Sequence, residues 1–205
     1  MKLFQIVLFV LVAQVTAQKK VHKVLLDESI TMIQVNAENC YEVVLETGDN
    51  PAIEVEAQMD GEYRDDLQMK VSEVGNTLVL GAGFQPSFKN PNDKLSAHKV
   101  VSIALKITIP SYKNVQIFGK SARVVVYGDY LNLNVTLSDG TCVLHNISEE
   151  VNVRTQSGNI LVYANAAKIV AETKYGELIK NPIPRGVNQY NLNSVTGNII
   201  LNKTE

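Results

Sequence analysis

The sequence predicts an all-β protein, in which an antiparallel strand region passes into a parallel β-solenoid of about five short coils. Two observations carry this prediction. Small turn pairs end at residues 122, 140, 158 and 176, which are 18 residues apart, and a fifth pair ends 21 residues later at 197. Apolar and polar residues alternate on both sides of each pair, which is the spacing of a strand with one buried face. A fixed period of this size is typical of proteins in which each repeat stacks on the previous one.

The apolar positions of the repeat form four columns, two on each side of the turn. The columns before the turn contain Val115, Leu133, Val151, Ile169 and Tyr190, and then Ile117, Val135, Val153, Ala171 and Leu192. The columns after the turn contain Val124, Cys142, Ile160, Leu178 and Ile199, and then Val126, Leu144, Val162, Lys180 and Leu201. β-Branched residues dominate these columns, as a packed pleated surface favours. Lys180 is the exception, and Ile179 beside it offers a substitute inward residue.

Glycine stands second in four of the five turn pairs, at residues 140, 158, 176 and 197. Because the chain reverses there, and since glycine reaches positive φ without a Cβ clash, the pattern predicts positive φ at these positions. Ala122 replaces glycine in the first pair, and Tyr175 precedes Gly176 in the fourth. We therefore expect these two turns to be built differently.

Residues 18–110 lack the 18-residue period but alternate like strands. Tyr41, Val43 and Leu45 give one example, and residues 103–110, which end in Pro110, give another. Because turn-forming residues separate these short strands, the pattern indicates antiparallel pairing. We therefore divide the mature chain into an antiparallel region, 18–110, and the repeats, 111–205, within one continuous domain.

Residues 1–17 have the composition of a secretory signal peptide. Lys2 supplies a positive charge, residues 3–12 form a short apolar run, and residues 15–17 are small before the expected cleavage site at Gln18. The apolar run is short for a transmembrane helix, and no later stretch approaches membrane length. We expect an exported protein, in the periplasm, on the cell surface or in the medium. An uncleaved N-terminal anchor is the alternative.

The two cysteines, Cys40 and Cys142, permit one disulfide in an oxidising compartment. Cys142 occupies an inward column, however, and that position favours a buried free thiol. Since the sequence does not give their separation, both possibilities remain open.

Residues 81–99 form the longest candidate loop, because they are rich in glycine, proline and asparagine. The loop contains Phe84, Phe88, Asn90 and Asn92, which are our candidate binding residues, since a long loop on a rigid scaffold often carries function. In the alternative, both phenylalanines fold back and cap the end of the core.

Catalytic signals in the sequence are few. His22, His98 and His145 are far apart, and HExxH, GxSxG, phosphate-loop and metal-binding cysteine motifs are absent. The formal net charge of −2 argues against nucleic acid or an anionic membrane as a partner. We therefore predict a protein that is not an enzyme, with no catalytic residues, no metal and no cofactor.

Three features together resemble the putative-adhesin families of bacterial secreted and envelope proteins, including the domain termed the auto-transporter adhesin head or GIN-like domain. They are the signal peptide followed by short strands, the strand IALKITIP at residues 103–110, and the tandem run typified by VNVRTQSGNILV at residues 151–162. The match covers about residues 25–203. The resemblance implies a single-stranded, right-handed β-solenoid, and it offers no catalytic residues to carry over.

We therefore expect a non-enzymatic, adhesin-like binding protein of the envelope or the medium, whose partner is a surface glycan or an envelope protein. The outward positions of the repeat are mostly Asn, Thr and Ser, which offer many hydrogen bonds but no activated nucleophile. A carbohydrate-active β-helix enzyme and a structural assembly module are the alternatives. Residues 199–201 in the last coil are a second candidate surface, because an open strand edge there would allow self-association.

The column assignment predicts opposite outcomes for two neighbouring substitutions. Val153→Asp would bury a carboxylate without a partner, and we expect it to cost about 3 kcal/mol or more, or to prevent folding. Arg154→Asp, one residue later and facing outward, should cost less than about 1 kcal/mol. Urea unfolding of both variants checks this, and equal losses would contradict the assignment.

Overall fold

The computed structural model describes residues 18–27, 29–89 and 101–204, and these residues form an all-β protein, as predicted. The predicted signal peptide lies outside the described residues. A single 3₁₀ turn, Arg64–Asp66, accompanies the strands in this part of the chain. The strands are β1 (Lys19–Leu25), β2 (Met32–Asn36), β3 (Glu42–Gly48), β4 (Ile53–Gly61), β5 (Leu67–Val74), β6 (Thr77–Phe84), β7 (Val101–Pro110), β8 (Asn114–Gly119), β9 (Arg123–Leu137), β10 (Cys142–Thr155), β11 (Ile160–Ala164), β12 (Lys168–Thr173), β13 (Leu178–Lys180), β14 (Gln189–Ser194) and β15 (Ile199–Lys203).

These strands form one sheet that nearly closes on itself into a barrel-like shape with two walls. The first wall contains β1, β4, β7 and β3, the first halves of β9 and β10, and then β11, β15 and β13. The second wall contains β5, β6, β2 and β8, the second halves of β9 and β10, and then β14 and β12. Because β9 and β10 are 15 and 14 residues long, each passes from the first wall into the second.

The 18-residue period is the register of parallel pairing in the middle of the sheet. On the first wall Val124 lies opposite Cys142, which lies opposite Ile160. On the second wall Leu133 lies opposite Val151. All five side chains are buried, so the strand spacing and the inward columns predicted for these coils are confirmed.

The prediction of a single-stranded parallel β-solenoid was wrong, because the coils do not stack in chain order at either end. β14 lies between β10 and β12, and β15 lies between β11 and β13. Val153 is buried as predicted, but its neighbour on this side is Leu192 and not Ala171. At the other end β2 lies between β6 and β8, and β3 lies between β7 and β9.

The antiparallel pairing predicted for residues 18–110 is present in only part of that region. β4 pairs antiparallel with β1 and β7, and β5 pairs antiparallel with β6. β2 and β3 instead pair in parallel with both of their neighbours. Strands from residues 18–110 and 111–205 therefore share one sheet and one apolar core.

The core contains two tyrosines whose hydroxyl groups find backbone partners. Tyr130 is fully buried and donates to the carbonyl oxygen of Tyr127 at 2.8 Å, and Tyr190 donates to that of Ile147 at 2.5 Å. Burial raises the pKa of Tyr130 and raises the pKa of Tyr190 to about 12. Both phenols therefore stay neutral, and each buried oxygen makes the hydrogen bond that its desolvation requires.

Cys40 and Cys142 are both buried free thiols, so the structure shows the unpaired alternative. Burial raises the pKa of each thiol to about 12. Because the thiolate is the nucleophile and the metal ligand, neither cysteine is poised for such chemistry.

The turn glycines are required by close packing, and the prediction of positive φ at residues 140, 158, 176 and 197 was wrong. Among the described residues, positive φ at glycine occurs at Gly61, Gly75 and Gly128. A Cβ atom at Gly158 would lie 2.7 Å from the carbonyl carbon of Gly140, and one at Gly197 would lie 2.6 Å from that of Gly158. The backbones of adjacent turns therefore touch, and no side chain fits between them.

We call this contact line the glycine column, and its order along the sheet is Ala122, Gly140, Gly158, Gly197 and Gly176. Two buried hydroxyl groups complete it. The hydroxyl of Thr155 donates to the carbonyl oxygen of Gly158 at 2.6 Å, and that of Ser194 accepts the N–H of Gly197 at 2.9 Å. The turns thus satisfy backbone groups that tight packing would otherwise leave without partners.

Gly158→Ala should destabilise the protein by at least about 2 kcal/mol, because the new methyl group overlaps the Gly140 backbone. Ser157→Ala, an exposed change in the same turn, should cost less than about 0.5 kcal/mol and serves as the matched control. Urea unfolding monitored by circular dichroism measures both. Equal unfolding midpoints for the two variants would show that the turns do not depend on backbone contact.

Candidate functional site

The outer surface of the second wall carries a row of amide side chains. Gln34, Gln116, Asn134, Asn152 and Asn191 lie opposite one another on β2, β8, β9, β10 and β14. All five are half-buried. They alternate along each strand with the buried inward columns, so the strand period that builds the core also builds this amide row.

Hydrogen bonds between side chains orient the amide row. Asn191 donates to Asn152 at 3.1 Å, Asn152 donates to Glu150 at 3.2 Å, and Asn134 donates to Asn132 at 2.6 Å. Each Asn has two N–H donors and an oxygen that accepts two hydrogen bonds. The three asparagines of the row are therefore oriented but retain donors and acceptors for a ligand.

A second outward row runs beside the amides and consists of Phe118, Thr136, Arg154, Asn193 and Glu172. Arg154 is exposed, and among the described residues no carboxylate lies within 4.0 Å of its guanidinium group. Phe118 is 42% exposed. We call the two rows together the amide face.

A shallow depression of about 260 Å³ lies on the amide face between Asn134, Thr136, Asn152 and Arg154. Its walls offer amide, hydroxyl and guanidinium groups within one small area. Such groups recognise neutral polar molecules through directional hydrogen bonds, and the guanidinium adds a forked donor.

The outer surface of the first wall has different chemistry. Tyr127, His145 and Tyr163 stack, with ring centroids 4.5 and 4.9 Å apart and planes inclined by 10° and 5°. The two tyrosines cover both faces of the His145 ring, so this ring offers no free face to a ligand. The stack therefore supports the first wall, and the amide face is the better candidate for ligand binding.

The pKa of His145 is lowered, first because the imidazole is partly buried and second because the Arg123 cation is near. The neutral ring is thus favoured in the folded protein. No metal-ligand role follows from the surroundings, since no group of three or more His, Cys, Asp or Glu side chains in the described ranges could hold a metal ion.

Only part of the predicted binding loop is described. Phe84 is the last residue of β6 and packs against the core, and Phe88 stacks on it at 4.2 Å. Phe88 also meets the edge of Tyr63 at 5.5 Å. Both phenylalanines thus fold back onto the protein, while Asn90 and Asn92 lie outside the described residues. Ligand binding by this loop stays a prediction.

The second surface predicted from the sequence, an open last coil at residues 199–201, is not at the edge of the sheet. β15 lies between β11 and β13, and both Ile199 and Leu201 are buried. The edge strands at this end are β12 and β13. Lys180 on β13 lies opposite Leu201 and keeps the inward register, while Ile179 is outward and 42% exposed, so Ile179 does not replace it.

Sequence reasoning noticed outward asparagines but did not join them into a site, and it missed the aromatic stack. The 18-residue spacing was a signal for both the asparagines and the aromatic stack. Tyr127, His145 and Tyr163 are 18 residues apart, as are Asn134 and Asn152. Once the period is known, any column of like residues predicts a row on the surface of the folded protein.

Within residues 18–27, 29–89 and 101–204, the chain forms no helix long and apolar enough to span a membrane.

No protein-family model matches this chain, and no curated protein matches it either. The fold is similar to that of a putative cell adhesion protein from Clostridium sporogenes, with a TM-score of 0.61 and 16% identity over 91% of this chain and 100% of that chain. At this identity the likeness concerns the fold alone.

Two further solved structures are more distant. A putative adhesin from Bacteroides fragilis has a TM-score of 0.37 and 13% identity over 90% of this chain and 98% of that chain. A putative lipid binding protein from Parabacteroides distasonis has a TM-score of 0.29 and 13% identity over 88% and 96% of the two chains. The resemblance to putative adhesins seen in the sequence is thus supported, for the fold alone, by the Clostridium sporogenes structure. Membership of the GIN-like domain family stays a prediction.

His145 should make the stability of the protein depend on pH. Its pKa in the folded state is lowered from an ordinary value of about 6.5, so the unfolded chain binds the proton more tightly. The stabilisation by the neutral ring is present above about pH 6.5 and is lost as pH falls below that value. His145→Phe keeps an aromatic ring between the two tyrosines but does not titrate.

We therefore expect the free energy of unfolding of the natural protein to fall relative to that of His145→Phe as pH is lowered from 7.5 to 5.5. Urea titrations at several pH values measure this difference. A difference that grows in favour of the natural protein would mean that the two tyrosines stabilise the imidazolium cation instead.

Proposed function

We propose that this protein is an exported, non-enzymatic, adhesin-like protein that binds a glycan along its amide face. One observation carries the proposal, namely the row of five amide side chains that lie opposite one another on adjacent strands. Adjacent strands are about 4.8 Å apart, so the row repeats the same hydrogen-bonding groups over roughly 19 Å. A regular array of this kind suits an extended polymer whose hydroxyl groups also repeat.

The side chains beside the amide row favour a sugar as the ligand over an apolar partner. Arg154 supplies forked donors that no carboxylate in the described part of the chain occupies, and Thr136 supplies a hydroxyl. Phe118 at the end of the second row is exposed enough to pack against an apolar ring face.

Binding without turnover is favoured by the positions of the acidic groups. Glycoside hydrolysis commonly uses two carboxyl groups that face each other across the bond to be cleaved. In the depression the polar lining residues are Asn134, Thr136, Asn152 and Arg154, and Glu150 already accepts a hydrogen bond from Asn152. Glu172 lies beyond Asn193, in the strand after next from Arg154. The face thus supplies hydrogen-bonding groups in greater number than proton-transfer groups.

The test is binding to a panel of polysaccharides by the mature chain and by the double variant Asn134→Leu, Asn152→Leu. We expect the double variant to bind at least about fivefold more weakly, since each lost polar contact contributes about 0.5–1.5 kcal/mol. Asn202→Leu is the matched control, because Asn202 is a half-buried amide on the opposite wall that accepts a hydrogen bond from Asn181 at 2.7 Å. The affinity of Asn202→Leu for each polysaccharide should stay within about twofold of that of the natural protein.

Release of reducing ends is measured on the same panel. Cleavage of any polymer would overturn the non-enzymatic part of the proposal. Equal loss of binding in the double variant and in Asn202→Leu would indicate a general folding defect, and thermal unfolding of each variant detects that. Unchanged binding in a folded double variant would remove the amide face from the proposal.

A further inference from the structure

The apolar core reaches solvent where the sheet ends at β12 and β13. One strand further in, Leu192 on β14 and Ile199 on β15 are buried. Ile169, Ala171 and Leu178 on the two edge strands pack against the core but remain partly exposed. Because no further strand covers β12 and β13 in the described residues, the inward columns meet solvent at this end.

A short segment, residues 181–185, crosses this open end. The N–H of Asn181 donates to the carbonyl oxygen of Leu201 at 3.0 Å, and the N–H of Ala167 donates to that of Pro184 at 3.0 Å. The segment is thus tied to the sheet on both sides. Between it and the sheet lies a cleft of about 370 Å³, which we call the terminal cleft.

The terminal cleft has an apolar interior formed by Ile169, Ala171, Ile183 and Leu201. Its volume lies in the range of about 300–1,000 Å³ that is typical of small-molecule sites. An apolar surface of this shape is stabilised when hydrocarbon replaces water against it. A purely polar ligand would not gain the free energy of burying this apolar surface.

The charged groups at the cleft are cationic. Lys168, Lys180 and Arg185 all line it, and none of the described residues that line it is acidic. Among the described residues no carboxylate lies within 4.0 Å of any of these three charges. Lys180 is the most informative, because it occupies an inward column opposite Leu201, where its stem can pack on apolar surface while its ammonium group reaches the opening.

We infer that the terminal cleft binds a free long-chain fatty acid, with the alkyl chain on the open end of the core and the carboxylate between Lys180 and Arg185. The alkyl chain covers the last side chains of the inward columns and so extends the apolar core. The guanidinium of Arg185 and the ammonium of Lys180 supply the charge-assisted hydrogen bonds that a carboxylate accepts. This site is on a different surface from the amide face.

The binding test uses isothermal titration calorimetry with three soluble probes, namely octanoate, decanoate and decanol. Each buried methylene strengthens binding about fourfold, so decanoate should bind at least about tenfold more tightly than octanoate. Decanol has the same chain without the charge and should bind at least about tenfold more weakly than decanoate. Equal affinity for decanoate and decanol would overturn the role of the cations.

Two variants locate the site. The double variant Lys180→Gln, Arg185→Gln should lose at least about tenfold in affinity for decanoate but not for decanol. Lys203→Gln, an exposed lysine on β15 that does not line the cleft, is the matched control and should bind decanoate normally. Ala171→Phe, which fills the cleft without changing its charge, should abolish binding of both probes. Loss of decanoate binding in Lys203→Gln alone would place the site elsewhere.

Two further measurements identify other occupants. Sedimentation with vesicles of phosphatidylglycerol, without binding of free decanoate, would show a membrane surface to be the ligand and overturn the inference. Dimerisation through the open end that the Lys180, Arg185 double variant disrupts would show that a second copy fills the cleft, and would overturn it as well. Since the Asn134, Asn152 double variant should bind decanoate normally, failure here is distinguishable from failure of the glycan proposal.

Discussion

The contact between backbones in the glycine column is the constraint on which the rest of the structure depends. At each turn the chain passes so close to the neighbouring turn that a Cβ atom at Gly158 would lie 2.7 Å from the Gly140 carbonyl carbon. Turns that touch in this way cannot slide along one another, so the parallel strands that leave them are held in fixed register. Register in turn decides which side chains are neighbours, both inside and outside the sheet.

Fixed register explains why the surface is organised in rows. The outward positions of adjacent strands lie directly opposite one another, so the chemistry of one position is repeated from strand to strand. Asparagine and glutamine at this position give the amide row on the second wall, and aromatic residues give the stack of Tyr127, His145 and Tyr163 on the first wall. A change at one position therefore alters a repeating array and not an isolated contact.

Much of the local structure could be predicted from the sequence, because the inward columns obey a simple period. The burial of Val124, Cys142 and Ile160 follows directly from their spacing of 18 residues. The order of the strands could not be predicted in the same way. The period places Ala171 beside Val153, but in the sheet Leu192 lies between them, and both residues are apolar and fit the same column.

The role of the turn glycines shows a second limit of sequence reasoning. Positive φ and close backbone approach both require glycine, so the residue type alone does not separate the two causes. The candidate site was partly predictable in the same sense. Outward asparagines were visible in the sequence, but their assembly into one row includes Gln34 and Asn191, which only the pairing of β2 and β14 places beside the others.

The strand order at the C-terminal end also governs the sequence of events in folding. In the described part of the sheet β12 pairs with β14 alone and β13 pairs with β15 alone, although both partners come later in the chain. Residues 168–180 therefore have no native strand partner until residues 189–203 arrive and occupy the edge offered by β10 and β11. During synthesis from the N-terminus, this end of the sheet therefore cannot form by adding one coil after another in chain order. The last segment acts as the closing step, and until it docks the edge of β10 and β11 stays available to a strand from another copy of the protein.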